Sequence, residues 1–216
     1  MKNFLNISDL SSQELRKIIE EAKIRKSKRK DLNKSATDSN KPFEGKSMIM
    51  IFEKPSTRTR ISFDIATKQL GGSSIILNPD VIHYGKGDES IKDTAKVLSE
   101  YADIIMMRTA LHKNLLEFAK YSEIPVINGL SEQSHPCQIM SDIFTFEETK
   151  GNIQGKTIAW LGDGNNNMSN SLIQAAAKFN FNLNIGCPDK YKPSKNIMLW
   201  AKKNKANITT TKNPNE

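Results

Sequence analysis

Residues 47–60 read Ser-Met-Ile-Met-Ile-Phe-Glu-Lys-Pro-Ser-Thr-Arg-Thr-Arg. The apolar half predicts a buried strand, and the Glu-Lys-Pro that follows it predicts where the strand ends. Apolar residues then recur at helical spacing at positions 61, 65, 66 and 70, before Gly71-Gly72 ends the pattern. This stretch therefore predicts a strand, a loop and the beginning of an amphipathic helix.

Hydroxyl and guanidinium groups gather at the predicted start of that helix. Free backbone N–H groups and the positive end of the helix dipole favour an anion with several oxygens there. Alternatively, Ser56 is an ordinary N-cap, and Arg58 and Arg60 lie in a solvated first turn. Two cations at a helix N-terminus oppose the dipole, however, and need a compensating anion. The pattern favours a phosphate compound as the ligand.

The composition bounds the class of protein. The chain has 216 residues, enough for one full core and part of a second, so we expect one or two domains. No stretch is long and apolar enough to span a bilayer, and the N-terminus lacks a signal peptide's apolar core. We therefore expect a cytoplasmic protein with no membrane partner. Cys137 and Cys187 form no metal-binding or disulfide pattern, so we expect reduced thiols and no metal site.

The formal net charge is +8, and residues 23–30 concentrate positive charge as Lys-Ile-Arg-Lys-Ser-Lys-Arg-Lys. Such a run can contact nucleic acid. No aromatic residue is interleaved with it, and Glu20, Glu21 and Asp31 surround it. We therefore expect the solvated end of a helix and no nucleic-acid partner. A basic surface still attracts small anionic substrates.

Helix-like and strand-like segments alternate along the chain. A surface helix is expected over residues 8–30, capped by Ser8 or Ser11 and packed through Leu15, Ile18, Ile19 and Ala22, with a loop over 31–45. Strands are predicted near 47–52, 74–77, 103–108 and 125–128, and helices near 57–70, 90–101, 112–121 and 136–149. This alternation predicts an α/β fold with a mainly parallel sheet and helices on both faces.

A second unit begins after the Lys-Gly-Asn at residues 150–152. Strands are predicted over 157–161, 181–187 and 206–210, and helices over 168–179 and 194–203, in a Rossmann-like order. Two or three parallel strands leave an unpaired sheet edge, so we expect this second domain to be incomplete. The predicted domains are residues 1–149 and 150–216.

Two more polar positions follow predicted strands, where ligands of open parallel sheets bind. Arg108 ends an apolar run, and by itself it fits a salt bridge as well as an anion contact. Pro136 is suited to the first position of a helix, which would present His135 at its mouth and Gln138 one turn on. A lone histidine is more often structural, but its pairing with two anion-binding elements favours a functional role.

Residues 52–63 read Phe-Glu-Lys-Pro-Ser-Thr-Arg-Thr-Arg-Ile-Ser-Phe. They resemble the carbamoyl-phosphate signature of the aspartate and ornithine carbamoyltransferase family, with the Glu-Lys pair of its ornithine branch. Arg108-Thr109 and the His-Pro-Cys-Gln of 135–138 match the family's remaining marks in the expected order. These matches spread over most of residues 1–150. Because family members continue for roughly another third of their length, the resemblance implies an N-terminal fragment that binds carbamoyl phosphate at best and does not turn over.

The resemblance implies a role for each matching residue. Ser56, Thr57, Arg58 and Thr59 would hold the phosphate, while Thr59, Arg108 and His135 would bond the carbonyl oxygen and Gln138 the carbamoyl amide. Asn167 would bond the carboxylate or amine of ornithine, although the residues alone leave open an Asn-rich turn that caps the next helix. His83 matches a residue donated across the interface of a homotrimer. Arg58, Thr59, Arg108 and His135 form the implied catalytic set.

The implied reaction transfers the carbamoyl group of carbamoyl phosphate to the δ-amine of L-ornithine, giving citrulline and phosphate in arginine metabolism. The residues suit this reaction, because the transfer needs an oriented amine, hydrogen-bond donors for the developing oxyanion and neutralisation of the departing phosphate. It calls for neither a cofactor nor a metal. Putrescine transferases share these features. The alternative from another class is a noncatalytic module used for assembly or for nucleic-acid contact, with salt-sensitive binding.

Overall fold

The computed structural model describes residues 2–78 and 89–213. The contacts between Cα atoms divide the chain into two compact units, Met1–Leu5 with Ile24–Ser131, and Asn6–Lys23 with Glu132–Glu216. The second unit thus includes residues 132–149, which the sequence analysis assigned to the first domain. The domain boundary after residue 149 stays a prediction.

The first unit contains a four-stranded parallel sheet in the order β2-β1-β3-β4. Its strands are β1 (Ser47–Phe52), β2 (Ser73–Leu77), β3 (Ile104–Arg108) and β4 (Val126–Leu130). Its helices, besides the end of α1 (Ser12–Lys28), are α2 (Thr57–Gln69), α3 (Ile91–Tyr101) and α4 (His112–Tyr121). Phe4 extends the sheet beside β4, since its N–H donates to the Val126 carbonyl at 2.9 Å.

Alternate residues of β1 pack on opposite faces of this sheet. Ile49 and Ile51 join a cluster with Ala95 of α3 and with Leu115 and Phe118 of α4. On the other face, the cluster contains Met48, Met50, Phe52 and Met106, and Phe63 of α2 packs against it. A strand buried on both faces reads as a continuous apolar run. The predicted α/β fold, a parallel sheet with helices on both faces, is confirmed.

The second unit contains a three-stranded parallel sheet in the order β5-β6-β7. Its strands are β5 (Thr157–Leu161), β6 (Asn182–Gly186) and β7 (Ile208–Thr211). Its helices, besides most of α1, are α5 (Pro136–Lys150), α6 (Asn167–Phe179) and α7 (Lys195–Lys203), with short 3-10 helices at Ile7–Asp9 and Asp189–Tyr191. None of the helices described is both long and apolar enough to cross a membrane.

The helix expected over residues 8–30 is divided at its start. A 3-10 turn precedes α1, and Ser11, not Ser8, caps α1. The Ser11 hydroxyl accepts from the Glu14 N–H at 3.2 Å, and the Ser11 N–H donates to the Glu14 carboxylate at 2.9 Å. Leu15 and Ile19 are buried, whereas Ile18 is 44% exposed. The packing stripe is therefore narrower than predicted, and Ile18 lies at its border.

Helix α2 packs through a different face from the one predicted. Ile61 is 57% exposed, while Thr67 is buried and its hydroxyl donates to the Phe63 carbonyl at 2.8 Å. The same hydroxyl lies 3.5 Å from the Met48 sulfur of β1. Because Thr67 satisfies its hydroxyl within its own helix, it can be buried against the sheet as an apolar residue would be. Of the four apolar residues at helical spacing, Ile61 thus lies outside the core.

The basic run at residues 23–30 is more than a solvated helix end. In the second unit, Lys23 bonds the buried Glu147 carboxylate at 2.8 Å, and Arg16 bonds its other oxygen at 2.6 Å. Burial opposes the ionisation of Glu147, but these hydrogen bonds outweigh it and hold its pKa below the usual value. In the first unit, Arg25 and Arg29 both bond Asp38. Part of the run is therefore committed to internal ion pairs.

Candidate functional site

Helix α2 begins with its first N–H groups uncapped. Ser56 is the N-cap residue, with an extended backbone (φ −159°, ψ 104°), yet its side chain makes no capping bond, and the first turn holds no acidic residue. The first helical bond runs from the Arg60 N–H to the Ser56 carbonyl at 3.2 Å. Within residues 2–78 and 89–213, the backbone N–H groups of positions 57–59 have no acceptor. They remain available to an external anion.

A cavity of about 600 Å³ opens beside this helix start. It is lined by Phe52, Pro55, Ser56, Thr57, Arg60, Ile61 and Asn78. Arg60 was not in the predicted site, although its place on α2, one turn after Ser56, was a signal that could have found it. The exposed Ile61 is explained by the same cavity, because its side chain forms part of the wall.

Arg108 lies at the carboxyl end of β3, where it pairs with Phe52 of the neighbouring strand β1. Its Nη1 donates to the Thr59 Oγ1 over a long 3.4 Å contact. Its Nε is buried without a hydrogen-bond partner, and among the described residues no carboxylate forms an ion pair with it. Burial lowers the pKa of this half-buried guanidinium. A half-buried cation in this condition needs an anion that the described residues do not supply.

Glu53 fixes the backbone that follows Arg108. Its Oε2 accepts from the Thr109 hydroxyl at 2.7 Å and from the Ala110 N–H at 2.9 Å. The Glu53 N–H also donates to the Arg108 carbonyl at 2.9 Å. From the sequence, Glu53 is predicted only to follow the end of a strand, because nothing local indicates its distant partners. These bonds orient the Arg108 side chain at the strand end.

His135 is the N-cap residue of α5, and the predicted helix start at Pro136 is confirmed. The His135 side chain is half-buried, and its backbone N–H donates to the Ser171 hydroxyl at 2.9 Å. Gln138 is exposed one turn later, where its Nε2 donates to the Asp142 Oδ1 at 2.9 Å.

Asn167 is the first residue of α6, and the capping role belongs to its neighbour. The Asn166 side chain accepts from the Met168 N–H at 2.8 Å and from the Ser169 N–H at 3.0 Å. Of the two alternatives for this Asn-rich turn, capping thus applies to Asn166. Asn167, the next residue, is half-buried at the first position of the helix.

The predicted site residues fall in both units. In the first unit they are Ser56, Thr57, Arg58, Thr59 and Arg108, at the carboxyl ends of the adjacent strands β1 and β3. The structure brings Thr59 and Arg108 together. In the second unit they are His135, Gln138 and Asn167. His83 lies outside the described residues. Over the described ranges, no group of three or more His, Cys, Asp or Glu could hold a metal ion.

Two family descriptions match consecutive parts of the chain. Residues 2–148 match "Aspartate/ornithine carbamoyltransferase, carbamoyl-P binding domain". Residues 154–216 match "Aspartate/ornithine carbamoyltransferase, Asp/Orn binding domain". The open helix start and Arg108 both lie within the first match.

Similar proteins agree with these matches. Ornithine carbamoyltransferase of Brucella ovis is 49% identical over 214 residues, which are 99% of this chain and 66% of the relative. Among solved structures, ornithine carbamoyltransferase from Pyrococcus furiosus has a TM-score of 0.89 and 38% identity, covering 97% of this chain and 66% of that one. The catalytic subunit of M. jannaschii aspartate transcarbamoylase has a TM-score of 0.82 and 29% identity, covering 100% and 70%.

The chain spans about two thirds of the length of the curated relatives that it matches, 66% for the B. ovis protein. The first family description alone covers most of the chain. On these grounds the chain belongs to the aspartate/ornithine carbamoyltransferase family.

Proposed function

We propose that the activity to which this chain belongs is transfer of the carbamoyl group of carbamoyl phosphate to the δ-amine of L-ornithine, giving L-citrulline and phosphate, and that the 216-residue chain alone does not turn over. The observation that carries the proposal is Arg108, a half-buried cation without an anion among the described residues, bonded to Thr59 in the first turn of α2. A dianion bound at this helix start would neutralise it. Relatives named ornithine carbamoyltransferase support ornithine as the acceptor.

The phosphate is proposed to bind at the start of α2. The unbonded N–H groups of residues 57–59, the helix dipole and the hydroxyls of Ser56, Thr57 and Thr59 together offer donors to its oxygens. Arg58 adds a charge-assisted fork from the same turn. These groups keep their places as the phosphate leaves with its full charge, so they stabilise the product of bond cleavage as well as the substrate.

The carbamoyl carbonyl is proposed to accept hydrogen bonds from Thr59, Arg108 and His135. Because the Thr59 oxygen accepts from Arg108, its own hydroxyl proton remains available for the carbonyl oxygen. Negative charge develops on that oxygen as the amine attacks, so these donors bind the transition state more strongly than the substrate. Gln138, whose Nε2 donates to Asp142, would accept from the carbamoyl NH₂ with its amide oxygen.

The amine substrate is proposed to contact Asn167 at the first position of α6. Because Asn166 already satisfies two N–H groups of this helix start, the backbone there is a rigid support and Asn167 supplies the recognition through its amide. Rates of the active enzyme on ornithine, putrescine and aspartate would decide the acceptor. A preference for aspartate or putrescine would contradict the proposal.

The proposal includes the homotrimer that the family resemblance implies, with His83 reaching the phosphate of a neighbouring subunit. Two features of the first unit support self-association. Strand β2 is an edge strand on which Ile75 is 48% exposed, and Tyr101 at the end of α3 is 72% exposed. Sedimentation equilibrium measures the assembly directly. A monomer at all concentrations would contradict this part. A cytoplasmic location and a role in arginine metabolism stay predictions.

Calorimetric titration tests the anion site. The probe is phosphonoacetamide, in which a methylene replaces the labile bridging oxygen of carbamoyl phosphate. We expect saturable binding that Arg58→Ala and Arg108→Ala each weaken about 30-fold or more, because each removes a charge-assisted contact of about 2 kcal/mol. The matched control is Lys120→Ala, which removes one exposed cation from the last turn of α4. Equal affinity in all four proteins, or salt-sensitive nucleic-acid binding without phosphonoacetamide binding, would overturn the proposal.

A further inference from the structure

Helix α6 holds the three residues that precede Pro136. The Asn170 Nδ2 donates to the Gln133 carbonyl at 3.2 Å. The Ser171 hydroxyl accepts from the His135 N–H at 2.9 Å and lies 3.2 Å from the Ser134 hydroxyl. Ser171 is 0% exposed. The segment that carries His135 is therefore attached to α6 through neighbouring residues of that helix.

The bond to Ser171 holds the backbone of His135. A residue before proline is excluded from the helical region, and His135 accordingly has φ −138° and ψ 69°. Its N–H donates to Ser171 on another helix. With ψ restricted by Pro136 and the preceding peptide held by Ser171, the direction of the His135 Cα–Cβ bond is set from both sides.

The Ser171 hydroxyl is used differently from the helical hydroxyls of α5. A serine within a helix ordinarily donates back to the carbonyl four residues earlier. On α5, Ser141 does so to the Cys137 carbonyl at 3.0 Å, and Thr145 to the Ser141 carbonyl at 2.9 Å. Among described residues, the hydroxyl of Ser171 bonds only to residues 134 and 135. Ser171 is thus a support for the segment before α5.

Ser171 also shares a helix face with Asn167. The two residues are four positions apart, so they lie one above the other on α6. Asn166 caps the N-terminus of α6, and its hydrogen bonds attach the first turn to the rest of the helix. We propose that Ser171 is a positioning residue that couples Asn167 to His135, so that amine binding at Asn167 aligns His135 with the carbamoyl carbonyl. This inference rests on the proposed function.

Histidine NMR provides the test, because the chain contains only three histidines. The signals of His135 are assigned with His135→Gln, and the compared proteins are the wild type, Ser171→Ala, Ser171→Thr and the control Ser141→Ala. We expect L-ornithine to shift the His135 imidazole signals in the wild type. Ser171→Ala should remove most of this shift while the affinity for ornithine changes less than about threefold, and Ser171→Thr, which keeps the hydroxyl, should restore it.

A second readout needs no ligand. We expect Ser171→Ala to speed hydrogen exchange of the His135 amide about tenfold, because it deletes one hydrogen bond, and to change the imidazole pKa measured by NMR. Ser141→Ala should change neither. If Ser171→Ala does not fold, Ser171→Cys replaces it, since a thiol of similar size accepts hydrogen bonds weakly.

The two readouts separate failure of the inference from failure of the proposed function. If ornithine binds and His135 responds equally in wild type and Ser171→Ala, the coupling is refuted. If ornithine does not bind the wild type, the amine assignment fails and the coupling to Asn167 fails with it. His135 exchange and pKa unchanged by Ser171→Ala would refute the positioning role itself, whatever ornithine does.

Discussion

Helices α2 and α6 both begin just after a parallel strand ends, yet their N-termini differ. At α2, Ser56 makes no capping bond to the described residues, and arginines occupy the first turn. At α6, the Asn166 side chain satisfies two backbone N–H groups and Ser169 completes a capping box. The same strand-loop-helix topology therefore produces an uncapped helix start in one unit and a capped one in the other. One side chain at the N-cap makes this difference.

Cysteine chemistry gives the largest expected contrast between helix starts. Burial raises the pKa of the Cys137 thiol, in the first turn of α5, to about 12. A cysteine introduced by Thr57→Cys at the exposed, open start of α2 should keep an ordinary or lowered pKa. At pH 8 we expect iodoacetamide to modify it about 1000-fold faster than Cys137, in proportion to the thiolate fraction. Mass spectrometry of the modified peptides measures both rates. Comparable rates in the folded protein would contradict the predicted difference between the two helix starts.

An added carboxylate tests whether only α2 is open to anions. Thr57→Asp places a negative charge where the phosphate is proposed to bind, so we expect phosphonoacetamide affinity to fall about 100-fold, or about 2.7 kcal/mol. Asn166→Asp adds the same charge at α6 but keeps a good cap, and should leave this affinity unchanged within about threefold. Calorimetry measures both. Equal losses would mean that nonspecific charge, not the open helix start, determines binding.

Acid unfolding tests how the second unit is held together. The lowered pKa of Glu147 means that its contribution to stability is complete above the ordinary carboxyl pKa and is lost as the pH falls through the lowered value. We expect Glu147→Gln to lower the free energy of unfolding by about 2 kcal/mol at pH 7, and by less near pH 3. Urea unfolding at several pH values measures this. Glu117→Gln, an exposed residue of α4, is the control, and a pH-independent loss for Glu147→Gln would contradict the pairing.

Removing the N-cap side chains is expected to have the smallest effect, a change in the free energy of unfolding. It tests the difference between the two helix starts most directly. Asn166→Ala should lower the free energy of unfolding by about 1 kcal/mol, because it leaves two N–H groups of α6 without their acceptor. Ser56→Ala should change it by less than about 0.5 kcal/mol, because that hydroxyl caps nothing. Urea unfolding at pH 7 compares the two. A loss at Ser56 as large as that at Asn166 would remove the distinction between the helix starts.

Most elements of the fold could be predicted from local patterns. Strand β1, helix α4 and strand β5 begin and end at the predicted residues, because apolar runs bounded by polar or turn-forming residues define them. The packing face of α2 could not be predicted in this way. Its apolar periodicity pointed to Ile61, while the direction in which the helix leaves β1 buries Thr67 instead.

The candidate site likewise contains residues that local patterns could predict and residues that they could not. The signature over residues 56–59, with Arg108 and His135, could be read from the sequence because motif residues lie at the ends of predictable elements. The supporting residues could not. Glu53 meets Thr109 across 56 positions, and Ser171 meets His135 across 36. No local periodicity encodes such pairs, since they depend on which strands become neighbours.

By itself, the sequence determined the order of strands and helices, the family resemblance and the types of residue placed at strand ends, because these depend on short-range periodicity and steric preferences. Only the tertiary structure decided which polar groups are already satisfied. Among the described residues, no anion pairs with Arg108 and no side chain caps the start of α2, while the hydroxyl of Ser171 accepts from the His135 N–H because the fold makes them neighbours. Hydrogen-bond satisfaction is a property of the assembled surroundings, and it is what distinguishes a binding group from a structural one.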